Sequence, residues 1–536
     1  MPHGPRFYKN TLTTPEITQE LLQETLVNLQ TAVHNGVQLI ESKHPAGEDD
    51  ERGIFSGDLG IALAYLRLAH QSPSLTPPNH NARSPAEFHS LADSRIPSAP
   101  SSHNLAIGLL SPLASQSPLS SATLRILHHL SSGTARDILD ADLVVLRNAV
   151  KMALEHGATG MYHGHELGAD EVLFGRAGLL WTLLNIRQRA VEGKEVFDPK
   201  QKGLLAGALG DDIVGRLIEV IVSAGQQGGA ECQRILGEKG QSPLGDRDSQ
   251  VMPLMWVWKK GYYGLGWAHG LTGILSILLS TPTKFVTPHL ASIAATIKVL
   301  CNTCIAENGH LPTGIPPHST PPHLVQICHG APALLSLMAC ALRVPELIQT
   351  HWTPEWDTAI HLATQRVWEE GLLVKGGGLC HGIAGNAWAF LMLYLSFEEN
   401  AGVLEEVRRK YSAPTGDVNV NADVESGTDG TLTPDFFLSR ALAMLLHARE
   451  TQPYNTGPER ASKEYRMPDH PYSLFEGLAG TLCAWAEACV VLRGRLQKIE
   501  LEQRSTGVNE DPVMHEFRKQ ELGFPFLGGN GVTGLL

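Results

Sequence analysis

Gly378-Leu379-Cys380-His381-Gly382-Ile383-Ala384-Gly385-Asn386 holds two glycines three positions apart, Gly382 and Gly385, and runs into Ala387-Trp388-Ala389-Phe390-Leu391-Met392. The second piece is apolar nearly all round, and a helix of that kind is buried on every side. Glycines at its start allow backbone to approach closely and leave helix N–H groups free. The same form recurs at Gly57-Asp58-Leu59-Gly60, Gly175-Arg176-Ala177-Gly178, Gly270-Leu271-Thr272-Gly273, Gly330-Ala331-Pro332-Ala333 and Gly477-Leu478-Ala479-Gly480, with Ala333 replacing one glycine. Successive first glycines stand 118, 95, 60, 52 and 95 residues apart. A unit of roughly 50–60 residues with insertions fits, and such a period signals a repeat architecture.

The gap of 118 residues is long enough for two units. Gly108, 51 residues beyond Gly57, reads as a degenerate unit with Ser111 in the second glycine's place. Between units lie amphipathic patterns such as Leu21, Leu22, Leu26, Leu29 and Leu217, Ile218, Val220, Ile221. Period-2 alternation is scarce. The expected fold is therefore all-α: an α/α toroid of about seven helical hairpins, one degenerate, with apolar helices inside and amphipathic helices outside. One domain over residues 1–536 follows, with surface insertions near 71–103, 225–248, 309–323 and 412–434, where Ser, Pro, Gly and Asn accumulate.

A net charge of −13 argues against nucleic acid as a partner, because phosphate binding needs a basic surface. No apolar run reaches the length of about eighteen residues that spans a bilayer. The N-terminal residues lack the apolar stretch of a secretory signal. Eight cysteines in 536 residues do not form a disulfide framework. The expectation is a cytoplasmic protein with reduced thiols, with a peripheral place at the plasma membrane as the other option.

Two units carry a Cys-His pair directly before the first glycine: Cys328-His329-Gly330 and Cys380-His381-Gly382. Thiolate and imidazole are zinc's preferred ligands, and a catalytic zinc keeps three protein ligands and one open place. Equivalent places on neighbouring units of a toroid face the same end, so Cys328, Cys380 and His381 form a three-ligand set. Cys301 and Cys304 have CxxC spacing inside a helical pattern with no second pair, which reads as packing.

With these motifs, and with Gly264-Leu265-Gly266-Trp267-Ala268-His269-Gly270 and Ser473-Leu474-Phe475-Glu476-Gly477, the chain resembles the lanthionine synthetase C-like family, its eukaryotic branch above all. The match runs from about Gly53 to about Glu487. The resemblance implies a toroid of seven helical pairs with zinc on Cys328, Cys380 and His381. It implies addition of a thiol to dehydroalanine or dehydrobutyrine, with glutathione as the thiol and damaged peptides or proteins as acceptors. His269 falls at the family's active-site histidine. His329 stands where the bacterial branch has tyrosine, and can support an enolate or the metal. Glu171 falls where the bacterial motif has aspartate, with a surface acid as the other reading. For glutathione, Lys375 lies five residues before Cys380, where eukaryotic relatives carry a lysine. Arg466 suits a carboxylate clamp, since arginine binds carboxylates in bidentate fashion. Two other functions stay open: a non-catalytic protein that binds zinc and glutathione in signalling, and an α/α-toroid glycoside hydrolase, which would need two carboxylates across a sugar cleft.

Overall fold

A computed structural model of the chain describes residues 5–47, 53–77, 83–101, 103–132, 140–162, 164–192, 198–238, 252–316, 323–412, 432–455, 464–504 and 511–527. Among the described residues, fourteen helices carry the architecture and alternate between two rings. The outer ones are α1 (Gln19–Lys43), α3 (Pro85–Asp93), α5 (Asp140–Glu155), α7 (Asp211–Glu238), α9 (Leu290–Ala306), α11 (Pro354–Glu370) and α13 (Pro434–His447). The inner ones are α2 (Asp58–Gln71), α4 (Pro118–Ser132), α6 (Arg176–Glu192), α8 (Leu271–Leu279), α10 (Ala331–Ala341), α12 (Ile383–Glu399) and α14 (Leu478–Gln503). Each inner helix packs on the next, and α14 packs back on α2, so the inner ring closes. This is the expected toroid of seven helical pairs.

The pattern of burial follows from the apolar runs. All residues of α8 and α10 are buried, as is Ile383–Phe397 of α12. Outer helices bury one stripe, as Leu22, Leu29, Val33, Val37 and Ile40 do on α1. Among the described residues, four two-stranded ribbons sit between helices, pairing Phe7–Tyr8 with Leu372–Leu373, Thr159–Tyr162 with His165–Gly168, Tyr263–Gly264 with Gly314–Ile315, and Val325–Gln326 with His329–Gly330. The last ribbon has Ile327 and Cys328 as its two-residue turn.

The first glycine of each intact unit is the residue just before its inner helix: Gly57, Gly175, Gly270, Gly330, Gly382 and Gly477. Gly330 needs to be glycine, because its φ is 125° and a Cβ would strike the Leu324 carbonyl. At the second glycine, a Cβ on Gly60, Gly178, Gly273, Gly385 or Gly480 would collide with the carbonyl six residues earlier.

The degenerate unit sits in a different register from the one expected. Gly108 belongs to a short 3-10 turn, Ile107–Leu109, and α4 starts only at Pro118. Ser117 therefore holds the first glycine's place and Ser120 the second, 60 residues after Gly57 and 58 before Gly175. Ser120 Oγ donates to the Pro112 carbonyl at 2.7 Å, a hydroxyl contact where other units press a bare glycine on a carbonyl.

Three expected insertions also change. Within 71–103, Ser84 and Glu87 form a capping box on α3, and Phe88 and Ala92 are buried, so this stretch supplies an outer helix. Near 225–248, α7 continues to Glu238 with Gly225, Gly229, Cys232 and Leu236 buried. In 309–323, Leu311 and Ile315 are buried and Gly314–Ile315 is a strand. Residues 413–431 lie outside the described residues. Among the described residues one stretch, Thr283–Ala306, is long and apolar enough to span a membrane by composition, and 56% of its window is buried in the ring.

The axis of the ring is filled. After the short helix Pro512–Gln520, the chain turns inward. Leu522 and Gly523 N–H groups donate to Glu487 at 3.0 and 2.9 Å, and Arg67 donates to the Gly523 carbonyl. Phe524 packs on Trp388 and Trp267, and Phe526 stacks on Trp181 with centroids 3.7 Å apart. Trp267 Nε1 donates to the Phe526 carbonyl at 3.3 Å.

Candidate metal centre

A belt of backbone hydrogen bonds joins the segments that precede the inner helices. The Phe475 N–H donates to the Phe55 carbonyl (3.2 Å), Cys380 to Phe475 (2.7 Å) and Cys328 to Cys380 (3.1 Å). Trp267 donates to Ile327 (3.3 Å), Leu173 to Ala268 (3.3 Å), and Leu110 and Ser111 to Phe174 (3.1 and 3.3 Å). The direct bond between Cys328 and Cys380 is what sets the two thiols side by side. The Sγ atoms and a ring nitrogen of His381 all lie within 4.8 Å of one another.

The belt also gives a common frame. The residue before the N-cap place is Ser56, Gln116, Phe174, His269, His329, His381 and Glu476 in the seven units, and each is half-buried beside a buried N-cap residue. Chemistry is concentrated in four consecutive units, from His269 to Glu476. His381 Nε2 lies 3.7 Å from Glu476, which also faces His470 at 3.6 Å. The His269 and His329 rings are 6.1 Å apart.

The electrostatics follow from burial and neighbours. Burial opposes charge on Cys328, but hydrogen bonds from the Cys380 thiol and His381 take its pKa well below the ordinary thiol range. The same contact with Cys328, together with burial, pushes Cys380 up, while the charge of Lys375 pulls the other way. One negative charge is thus favoured on the pair and two are not. Burial lowers His329, against the pull of Cys328.

Glu171 is not a surface acid. It is 3% exposed, and its Oε2 lies 2.5 Å from His269 Nδ1. Burial raises its carboxyl above the ordinary value and His269 pulls it back. Arg176 is structural: it pairs with Asp170 at 2.9 Å and donates to the Ala153, His156 and Gly157 carbonyls. Lys375 is exposed, and the Arg466 N–H donates to the Val374 carbonyl at 2.9 Å, so the two cations stand on adjoining strands of chain. Cys301 and Cys304 are fully buried against Met338 and Ala359, with Cys304 pushed up to about 12 by burial.

Two further residues belong to the site and carry no sequence signal. Trp258 stacks flat on His269, with centroids 4.4 Å apart and planes 8° apart. Gln326 Nε2 donates to Cys328 Sγ at 2.9 Å across the ribbon turn. The alignment of His269 and Glu476 with the Cys-His pairs was available, since each directly precedes a repeat glycine.

The site geometry can be set beside known proteins. The sequence model of the family described as "Lanthionine synthetase C-like protein" matches residues 139–415. Glutathione S-transferase LANCL1 of Danio rerio is 25% identical over 333 residues, 62% of this chain and 62% of the relative. LanC-like protein GCL1 of Arabidopsis thaliana is 26% identical over 334 residues, 62% of this chain and 56% of the relative. The chain thus spans less than two thirds of either relative. Among solved structures, nisin cyclase aligns at a TM-score of 0.40 and 16% identity, over 78% of this chain and 98% of that one. With the family model covering more than half of its length, the chain belongs to the lanthionine synthetase C-like family.

Proposed function

We propose that the protein adds the thiol of glutathione to dehydroalanine or dehydrobutyrine residues in peptides and proteins, using one zinc ion held by Cys328, Cys380 and His381. The observation that carries this reading is the convergence of two thiols and an imidazole within 4.8 Å. With Zn–S distances of about 2.3 Å, tetrahedral ligand sulfurs would stand about 3.8 Å apart, a spacing that lies inside the 4.8 Å bound on these three atoms. All eight cysteines are free and buried, which suits a reducing compartment, and we place the reaction in the cytoplasm.

The reaction is a net addition. Bound zinc supplies the acidity that keeps an incoming thiol as thiolate at neutral pH. The sulfur forms a bond to the β-carbon, and the π pair moves toward the α-carbon and the carbonyl oxygen. A proton then returns to the α-carbon, balancing the one the thiol lost. His269 suits that transfer. Glu171 holds its Nδ1 and Trp258 fixes the ring plane, leaving Nε2 as the atom that exchanges a proton. The His329 ring beside it is a donor for the charge developing on oxygen. Lys375 and Arg466 offer cations to the glutathione carboxylates.

The test is metal content and turnover together. Purified protein should carry about one zinc per chain, lost in Cys328→Ala. Glutathione and a dehydrobutyrine peptide should give a thioether adduct with wild type and none with Cys380→Ala. Zinc unchanged by Cys328→Ala sinks the ligand set. Zinc-loaded wild type that binds glutathione and forms no adduct leaves a binding protein in its place.

A further inference from the structure

Glu476 has no task in the chemistry above, and it stands directly against a candidate metal ligand. It holds the frame place of the seventh unit, next to His381 of the sixth. Its Oε1 lies 3.7 Å from His381 Nε2 and its Oε2 lies 3.6 Å from His470 Nε2, so the carboxylate spans two imidazoles with one oxygen for each. The Glu476 and His381 side chains are 14% and 16% exposed, and attraction between charges is stronger there than in open water.

The approach of Glu476 is built into the backbone. Phe475 is fixed by its stack on Phe55, with centroids 4.8 Å apart, and its carbonyl takes the Cys380 N–H at 2.7 Å. The Glu476 N–H donates to Ser473 Oγ at 3.3 Å. Gly378 has no side chain where Glu476 passes: a Cβ there would stand 2.3 Å from the Glu476 carbonyl oxygen and 3.1 Å from its Cα. The stretch that carries Cys380 and His381 thus gives up a side chain two residues before the cysteine and lets Glu476 close in.

A histidine ligand gives one nitrogen to a metal, and the partner of the other nitrogen decides which one. A carboxylate opposite Nε2 favours the tautomer with its proton there, which leaves the lone pair on Nδ1. The belt agrees with that choice. The sixth unit lies between the fifth, with Cys328, and the seventh, with Glu476, so thiol and carboxylate approach His381 from opposite neighbours. We propose that Glu476 is a positioning residue of the metal centre: it holds His381 Nε2–H and so turns Nδ1 toward Cys328 and Cys380. The gap of 3.7 Å is about 0.8 Å longer than a hydrogen bond and closes as the ring settles on an ion. The inference rests on the ligand set of the proposed function and adds what orients it.

The experiment uses the full-length protein and reads zinc affinity by competition with a chelator. Glu476→Gln keeps the size and removes the charge. It should weaken zinc about tenfold, the lower end of the range for a partner behind a histidine ligand, while the unfolding midpoint of the metal-free protein holds. Glu476→Ala should weaken zinc further. Sodium formate, which refills the gap with a carboxylate, should recover part of that loss, where sodium chloride at equal ionic strength does not. With an NMR-active cadmium isotope bound and heavy nitrogen in its histidines, wild type should show the metal coupled to His381 Nδ1. Zinc affinity unchanged in both Glu476 variants overturns the proposal, as does cadmium coupled to Nε2. Glutathione affinity that falls in Glu476→Gln with zinc affinity unchanged also overturns it, and gives the carboxylate to the ammonium group of the substrate instead. The ligand set is judged separately. Zinc that survives Cys328→Ala sinks that set, whereas zinc lost in Cys328→Ala and held in full by both Glu476 variants sinks the role of Glu476 alone.

Discussion

Gln326 shows how much a single side chain can do at this site. Its amide donates to the Cys328 sulfur at 2.9 Å, from within the ribbon whose turn presents that cysteine. A donor aimed at a thiol favours the thiolate and fixes where it points. Partners behind a ligand of this sort are worth a factor of about 10–100 in metal affinity. Gln326→Leu, close in volume and without the donor, should therefore weaken zinc by about that factor in competition with a chromophoric chelator. Affinity equal to wild type would show the bond to be idle. The cysteines were legible in the sequence because two Cys-His pairs sit in register before a repeat glycine. Gln326 and Trp258 were not, since each acts through a turn or a stack that brings together residues with no fixed spacing. Glu171 was half legible: its place was marked, and its burial against His269 is set by tertiary packing alone.

At the level of elements, the repeat works because a glycine presses on a carbonyl six residues back. A Cβ on Gly385 would collide with the Leu379 carbonyl, directly behind Cys380. Overpacking of this type costs about 1–3 kcal/mol. Gly385→Ala should lower the midpoint of thermal unfolding and loosen zinc together, whereas a surface change such as Gly402→Ala, with open space around it, should do neither. Equal midpoints for Gly385→Ala and wild type would contradict the close-contact account. Six inner helix starts could be read from the glycines, but the second unit was misplaced. There, serines replace both glycines, and the true start is Ser117-Pro118: a cap residue followed by a proline at the first helical position. The outer helix α3 was hidden for a related reason. Its surroundings have the composition of a loop, and only Ser84-Pro85-Ala86-Glu87 betrays the capping box.

For the whole molecule, the base of the filled axis carries an unusual acid. Burial, with Glu399 close by, raises the Glu521 carboxyl to about 8. The unfolded chain ionises this group near pH 4.5, so folding takes up a proton between the two values. The stability it contributes is whole below pH 4.5 and is lost as pH rises to 8, by at most about 1.4 kcal/mol per pH unit. Glu521→Gln should unfold at a higher temperature than wild type at pH 8 and at nearly the same temperature at pH 5; a constant difference between them would place the cause elsewhere. The segment that follows, Leu522–Leu527, comes after all seven helical pairs in the chain. A ribosome therefore releases it last of these parts. Until it emerges, Trp181, Trp267 and Trp388 lack their contacts with Phe524 and Phe526 and leave apolar surface at the axis uncovered. Filling of this axis therefore waits on the arrival of two phenylalanines.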